Sequence, residues 1–142
     1  MIERASSASP ELEDAFQRLI PQLSSSSTPM DIEEIEDLLS QQSIELLLYR
    51  GEDGDIQGML TLVIFTIPTG TRAWIEDVVV DDAARGHGAG LQLVDAALEL
   101  AHNLGVKTVD LTSRPSREAA NRLYQRAGFE KRDTNVYRHS KS

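Results

Sequence analysis

Cysteine is absent from the chain, which excludes disulfides, a cysteine-ligated metal and a cysteine nucleophile. No apolar run approaches the ~18 residues that a membrane-spanning helix needs. The stretch from Met1 to Asp14 carries acids early and lacks an apolar signal-peptide core, so a cytoplasmic location is the expectation. An excess of basic charge is also missing. The net charge of −9 argues against a general nucleic-acid binder, which normally shows a basic surface. The three histidines, His87, His102 and His139, have no metal-ligand spacing between them, and no metal is expected.

What is present fits one domain over residues 1–142, with no internal repeat and no linker. Its charge is unevenly spread. Residues 1–80 hold 15 acids and 4 bases, net −11, whereas residues 81–142 hold 8 acids and 10 bases, net +2. The second part is the one suited to an anionic ligand. The acidic part reads either as an attractor of cations or as a solubilising surface.

In chain order, Met1 to Ser6 suggests a short strand. Ser9-Pro10 is a helix start, followed by an apolar stripe of Leu12, Ala15, Phe16, Leu19 and Ile20 that Pro21 should end. Thr28-Pro29 repeats the start signal before Ile32, Ile35, Leu38 and Leu39. The runs 44–50, 56–67 and 73–80 read as an antiparallel meander, with a hairpin at Gly51 to Gly54. A helix after residue 90 ends at Gly105, a strand spans 106–112, and Ser116 caps a helix running to Ala127. Residues 129–132 and 135–138 read as two final strands. The fold class is α/β of the α+β kind: a mixed, mostly antiparallel sheet with helices on both faces.

Between the strand at 73–80 and the next helix lies Arg85-Gly86-His87-Gly88-Ala89-Gly90. A glycine-rich turn at a helix N-terminus leaves N–H groups unpaired where the helix dipole favours negative charge, which makes a phosphate cradle. It is not a P-loop, since no Gly-Lys-Ser/Thr follows, and it makes a poor dinucleotide fingerprint. Taken alone it also admits a second reading, a tight turn that needs glycine only for shape.

The later segment Ser116 to Phe129 changes that balance. Arg85, Gly88 and Gly90 match the acyl-CoA loop pattern R/Q-x-x-G-x-G/A, and Ala120, Leu123, Tyr124, Gly128 and Phe129 match A-x-x-L/F-Y-x-x-x-G-F. Together the two motifs resemble the Gcn5-related N-acetyltransferase superfamily, over roughly residues 44–139. The resemblance implies an acyl-CoA core over 73–130, with acetyl-CoA as co-substrate. It implies cofactor contacts from the backbone of Val78, Val79 and Val80, from Arg85, Gly86, His87, Gly88, Ala89 and Gly90, and from Asn121. Residues 1–42 would form a helical acceptor-side region. Many members have asparagine where Arg117 stands here; Arg117, Asn121 and Tyr124 share one helix face, and the arginine could approach a phosphate or lie in solvent.

The implied reaction is transfer of an acetyl group from acetyl-CoA to a primary amine, directly and within a ternary complex. Such an amine needs a base, and Glu76 and Asp77 are at hand on the strand before the loop. Alternation sends them to opposite faces unless a bulge intervenes, and Glu76, with the longer reach, is the expected base. Tyr124, a donor at neutral pH, is the expected acid for the leaving sulfur. The competing reading is a non-catalytic acyl-CoA sensor or interaction module; retention of Glu76 and Tyr124 favours the enzyme. The acidic N-terminal charge favours a cationic acceptor over an anionic sugar phosphate, although Trp74 to Val80 is similar to the same stretch of glucosamine-phosphate acetyltransferases. Neither nucleic acid nor membrane is expected as a partner, and a homodimer is among the assemblies open to the chain.

Overall fold

The computed structural model describes residues 1–141. A five-stranded sheet in the order β1-β2-β3-β4-β5 is built from β1 (Ile2–Arg4), β2 (Ile44–Arg50), β3 (Ile56–Ile67), β4 (Gly70–Val80) and β5 (Thr108–Asp110). The first four pair antiparallel, and β5 joins β4 in parallel. The helices are α1 (Pro10–Leu23), α2 (Ile32–Ser40), α3 (Ala89–Asn103) and α4 (Glu118–Arg126). The sheet is thus mixed and mostly antiparallel, as its turn signals imply.

Each face of the sheet carries its own apolar cluster. On one, Leu47, Leu60, Leu62, Ala73 and Ile75 meet Leu93, Val94, Ala97 and Ala101 of α3, with α4 residues Leu123 and Tyr124 at the margin. On the other, Leu46, Leu48, Ile56, Met59 and Val79 meet Leu12, Phe16 and Leu19 of α1 and Ile35 of α2. Full burial of one such side chain stabilises the fold by about 1.5–3 kcal/mol. Small residues at Ala97 and Ala101, both fully buried, let α3 lie close to the strands.

Several boundaries differ from the sequence expectations. Helix α1 continues through Pro21 to Leu23. The missing N–H falls in its last turn, where Leu23 packs on the second cluster and Gln22 is held by Asp81 and Asp82. Helix α2 starts later than Thr28, because Asp31 caps it: Asp31 accepts from Glu34 N–H at 2.9 Å, and Glu34 accepts from Asp31 N–H at 3.1 Å. Helix α4 begins without a side-chain cap, and its N-cap position is Arg117 rather than Ser116. β5 is shorter than the run 106–112.

The two expected C-terminal strands do not form. Phe129 instead closes α4, its N–H bonded to Tyr124 O at 3.0 Å and its ring edge-on to Tyr124 at 6.0 Å. No sheet edge pairs with residues 135–138, and Tyr137 is 88% exposed.

Candidate active site

β4 breaks its own alternation. Met59 pairs with Val79 and Thr61 with Glu76, so Asp77 and Val78 together stand opposite Leu60. This is a β-bulge, and Asp77 sits in it at φ 50. Before the bulge Ala73 and Ile75 point to the α3 side; after it Val78 and Val80 do, while Val79 joins the α1 side. The simple expectation for Glu76 and Asp77, one on each face, is replaced by a phase reset. Glu76 and Asp77 are both exposed, and alternation from Ile75 sets Glu76 on the α1 and α2 side.

The same stretch of β4 has a free edge. β5 pairs with Arg72, Ala73 and Trp74 only, so from Ile75 to Val80 the β5-facing edge has no strand partner among the described residues. An unpaired edge offers N–H and C=O groups to any extended ligand that can complete the ladder. Val78, Val79 and Val80 lie along it, as the family pattern implies. On the continuation of β5, the hydroxyl of Ser113 is the one buried side-chain oxygen without a partner among the described residues.

The edge runs into the glycine loop. After a short turn at Asp82–Ala84, Gly86 and Gly88 adopt φ 90 and φ 73, angles that side-chain-bearing residues rarely accept. A Cβ at Gly86 would meet nothing within 4 Å, and at Gly88 only Gln92 Nε2 at 4.0 Å. The space above the loop is therefore open. No backbone N–H from Gly86 through Leu91 donates to a protein acceptor among the described residues, and Gly88 gives α3 no side-chain cap. These donors stand at the positive end of a 15-residue helix. Ala89 is buried and supplies backbone only, while His87 is exposed in the loop. The residues present thus fit a pyrophosphate, with a pantetheine arm on the adjoining edge.

Gly90 serves a different purpose. A Cβ there would lie 2.8 Å from Leu123 Cδ1, so the two sequence motifs are in contact and Gly90 lets α4 approach α3. Arg85 is tied to Asp82 at 2.9 Å, but both side chains are largely exposed. Such a pair is weak, and Arg85 is free to exchange Asp82 for a phosphate.

Tyr124 is half-buried against the α3-side cluster, and its hydroxyl has no hydrogen-bond partner among the described residues. Burial raises its pKa above the ordinary phenol value, opposed by the nearby positive charge of Arg117. The group therefore stays a donor at neutral pH. Asn121 is anchored through one end of its amide: Nδ2 donates to Arg114 O at 2.9 Å, bracing the turn before α4. Glu76 and Tyr124 therefore lie on opposite sides of the sheet.

Some contributors gave no sequence signal. Arg18 of α1 reaches Asp81 Oδ2 at 3.3 Å and Ile56 O at 3.1 Å, and Gln22 accepts from Asp82 N–H at 3.0 Å. The first helix thereby anchors the entry to the glycine loop across 60 residues of sequence. Only cross-strand register and helix placement could have revealed it.

The comparisons agree with this geometry. A model of the acetyltransferase (GNAT) family matches residues 10–129, taking in both opening helices, which carried no recognisable motif. No curated protein matches the chain. Among solved structures, a putative acetyltransferase from Agrobacterium tumefaciens str. C58 superposes with TM-score 0.85 at 24% identity, covering 99% of each chain. An aminoglycoside acetyltransferase from an uncultured soil metagenomic sample gives 0.82 at 21% identity, covering 99% of this chain and 96% of that one. Glucosamine-6-phosphate N-acetyltransferase from Arabidopsis thaliana gives 0.78 at 18%, covering 98% of both. These likenesses carry the acyl-CoA N-acyltransferase fold, and the family match carries more: the chain belongs to the acetyltransferase (GNAT) family, whose general reaction is acetyl-CoA-dependent N-acetylation.

Proposed function

We propose that the protein transfers an acetyl group from acetyl-CoA to a primary amine by direct attack within a ternary complex, with Glu76 as base and Tyr124 as acid. What supports this reading is the free edge of β4 that leads into the glycine loop, with Glu76 on that strand and Tyr124 in the apolar cluster on the opposite side of the sheet. The residues 73–130 form the acyl-CoA core, and the opening helices border the acceptor side.

Bound acetyl-CoA supplies the activated thioester. The N–H groups of Gly86 through Leu91 hold its phosphates, with Arg85 turning from Asp82 toward them. The backbone of Val78 to Val80 aligns the extended arm by strand-like pairing and fixes the thioester beside Glu76. An alkylammonium of pKa near 10.4 is roughly 3.4 units above neutral pH, so the neutral nucleophile lies about 4.6 kcal/mol uphill. The ammonium first releases one proton to solvent, and as the neutral nitrogen then bonds to the thioester carbon, Glu76 takes the second, directly or through water. As the carbon–sulfur bond breaks, Tyr124 gives its proton to sulfur.

Initial rates over a grid of acetyl-CoA and amine concentrations test the order of events. Direct transfer gives intersecting double-reciprocal lines; parallel lines would mean that a covalent acyl-enzyme intervenes. A chain that binds acetyl-CoA tightly yet releases no thiol with any of a panel of amines would be a sensor, not an enzyme.

A further inference from the structure

We infer that the sheet face left open by α1 and α2 is a subsite for a second positive charge on the acceptor, formed by Trp74 and Asp110 beside Glu76, and that the acceptor is an aliphatic di- or polyamine. The inference rests on the proposed acetylation of an amine at Glu76 and specifies its substrate.

Strand register brings these residues together. Val63 pairs with Trp74 and Trp74 with Asp110, making one row across the sheet, while Thr61 and Glu76 make the next. Their neighbours Leu62, Ile64, Ile75 and Val109 all pack on the α3 side. Alternation therefore turns Val63, Trp74, Glu76 and Asp110 to the other side. The helices there do not reach this far. Trp74, Val63 and Phe65 are half-buried and belong to neither apolar cluster. Part of an indole surface thus stays accessible beside Glu76.

The charge on this face is unbalanced. Neither Glu76 nor Asp110 is paired with a base among the described residues. The basic group on the same face, Arg72, stands about 7 Å along the strand from Trp74 and about 13 Å from Glu76, and its guanidinium is drawn back from the row to Thr69 Oγ1 at 3.0 Å. An indole flanked by an unpaired carboxylate attracts a cation through the ring quadrupole and through charge together. An anionic acceptor would meet repulsion from Asp110.

Spacing selects the ligand. Glu76 and Trp74 are two residues apart, about 7 Å along the strand, and Asp110 lies about 4.8 Å across on β5. A chain of four or five methylenes spans that distance. One nitrogen is then deprotonated at Glu76 while the other stays charged over Trp74. A monoamine reaches Glu76 but leaves the second position empty.

Trp74 is the only tryptophan, so its emission reports the subsite directly. With saturating coenzyme A present, 1,4-diaminobutane should change the emission saturably. n-Butylamine should bind at least about fivefold more weakly, and glucosamine 6-phosphate should give no change. Asp110→Asn should weaken diamine binding about 2–5-fold. In turnover, Trp74→Leu should raise the KM for the diamine about 5–30-fold with little change in kcat. Trp74→Phe should restore the low KM, and the KM for n-butylamine should change less than that for the diamine in each of the three variants. Equal affinity for the diamine and the monoamine, or emission that ignores both, would overturn the subsite. Acetylation of n-butylamine without a diamine preference would remove the subsite and leave the reaction standing. Diamine binding without acetylation of any amine would do the reverse.

Discussion

The two faces of the sheet are covered differently. On one side α3 lies flat along the strands, with five residues buried along its length, and α4 completes the cover through Leu123, Tyr124 and Ala127. On the other, α1 and α2 cover β2, the start of β3 and the end of β4 at Val79, and neither Trp74 nor Phe65 joins that cluster. The closed face holds the glycine loop in place and presents Tyr124. The open face carries the exposed carboxylate of Glu76. β4 is the strand they share, and it carries both a bulge and, from Ile75 to Val80, an edge with no strand partner among the described residues.

The contrast can be broken first at Tyr124, where the largest effect is expected. Tyr124→Phe should keep acetyl-CoA binding and slow turnover about 10²–10⁴-fold, measured as kcat against Kd. An unchanged kcat would make the closed face purely structural.

A stability comparison comes next. Leu93→Ala, on the fully buried side of α3, should cost about 2–5 kcal/mol in denaturant unfolding. Val63→Ala on the open face should cost under about 1 kcal/mol, since little of a cavity forms there. Similar losses at both sites would mean that the second face is covered after all.

The bulge offers a smaller effect. Asp77→Ile forces a branched residue into the left-handed region and should destabilise by about 1–2 kcal/mol, whereas Asp77→Gly should be near neutral. The isoleucine variant should also lose activity beyond its loss of stability, because the reset between Glu76 and Val78 depends on that backbone. Equal stability of the two variants would deny the strain.

The weakest expected effect lies far from the site. Arg50 donates to Glu11 through two bonds of 2.8 Å, and this holds the Glu11 carboxyl below its ordinary 4.5. A depressed folded-state pKa means that the contribution is present above the unfolded value and disappears as pH falls through the folded one. The stability difference between the wild type and Glu11→Gln should therefore be small at neutral pH and vanish in acid. A difference that persists at pH 2 would assign it to packing instead.

Much of this architecture was legible in the residues. The runs 44–50 and 56–67 coincide with β2 and β3, and the start signal at Ser9-Pro10 coincides with the cap of α1, because alternation and capping are local. Arg85 to Gly90 and Ala120 to Phe129 pointed to an acyl-CoA enzyme, and the contact of Gly90 with Leu123 shows why the two motifs occur together. The bulge at Asp77 was not legible, since it arises from register against Leu60. Nor was the row Trp74–Asp110, which depends on where β5 stops. Residues 135–138 have strand composition without a strand because pairing needs an edge, and composition does not supply one. Arg117 keeps its two readings in part: it caps α4 by position only and lends positive charge to the surroundings of Tyr124.

In the proposed function the glycine loop and the free edge of β4 form one acyl-CoA site. Thermal unfolding with and without acetyl-CoA tests it most directly, with adenosine diphosphate as the control for the loop alone. Acetyl-CoA at 100 times its Kd should stabilise the fold by about 2.7 kcal/mol and shift Tm by more than adenosine diphosphate at the same concentration, because the edge adds to the loop. Gly88→Asp, which sets a negative charge where the pyrophosphate lies, should abolish both shifts. A Tm that millimolar acetyl-CoA leaves unmoved would contradict the account.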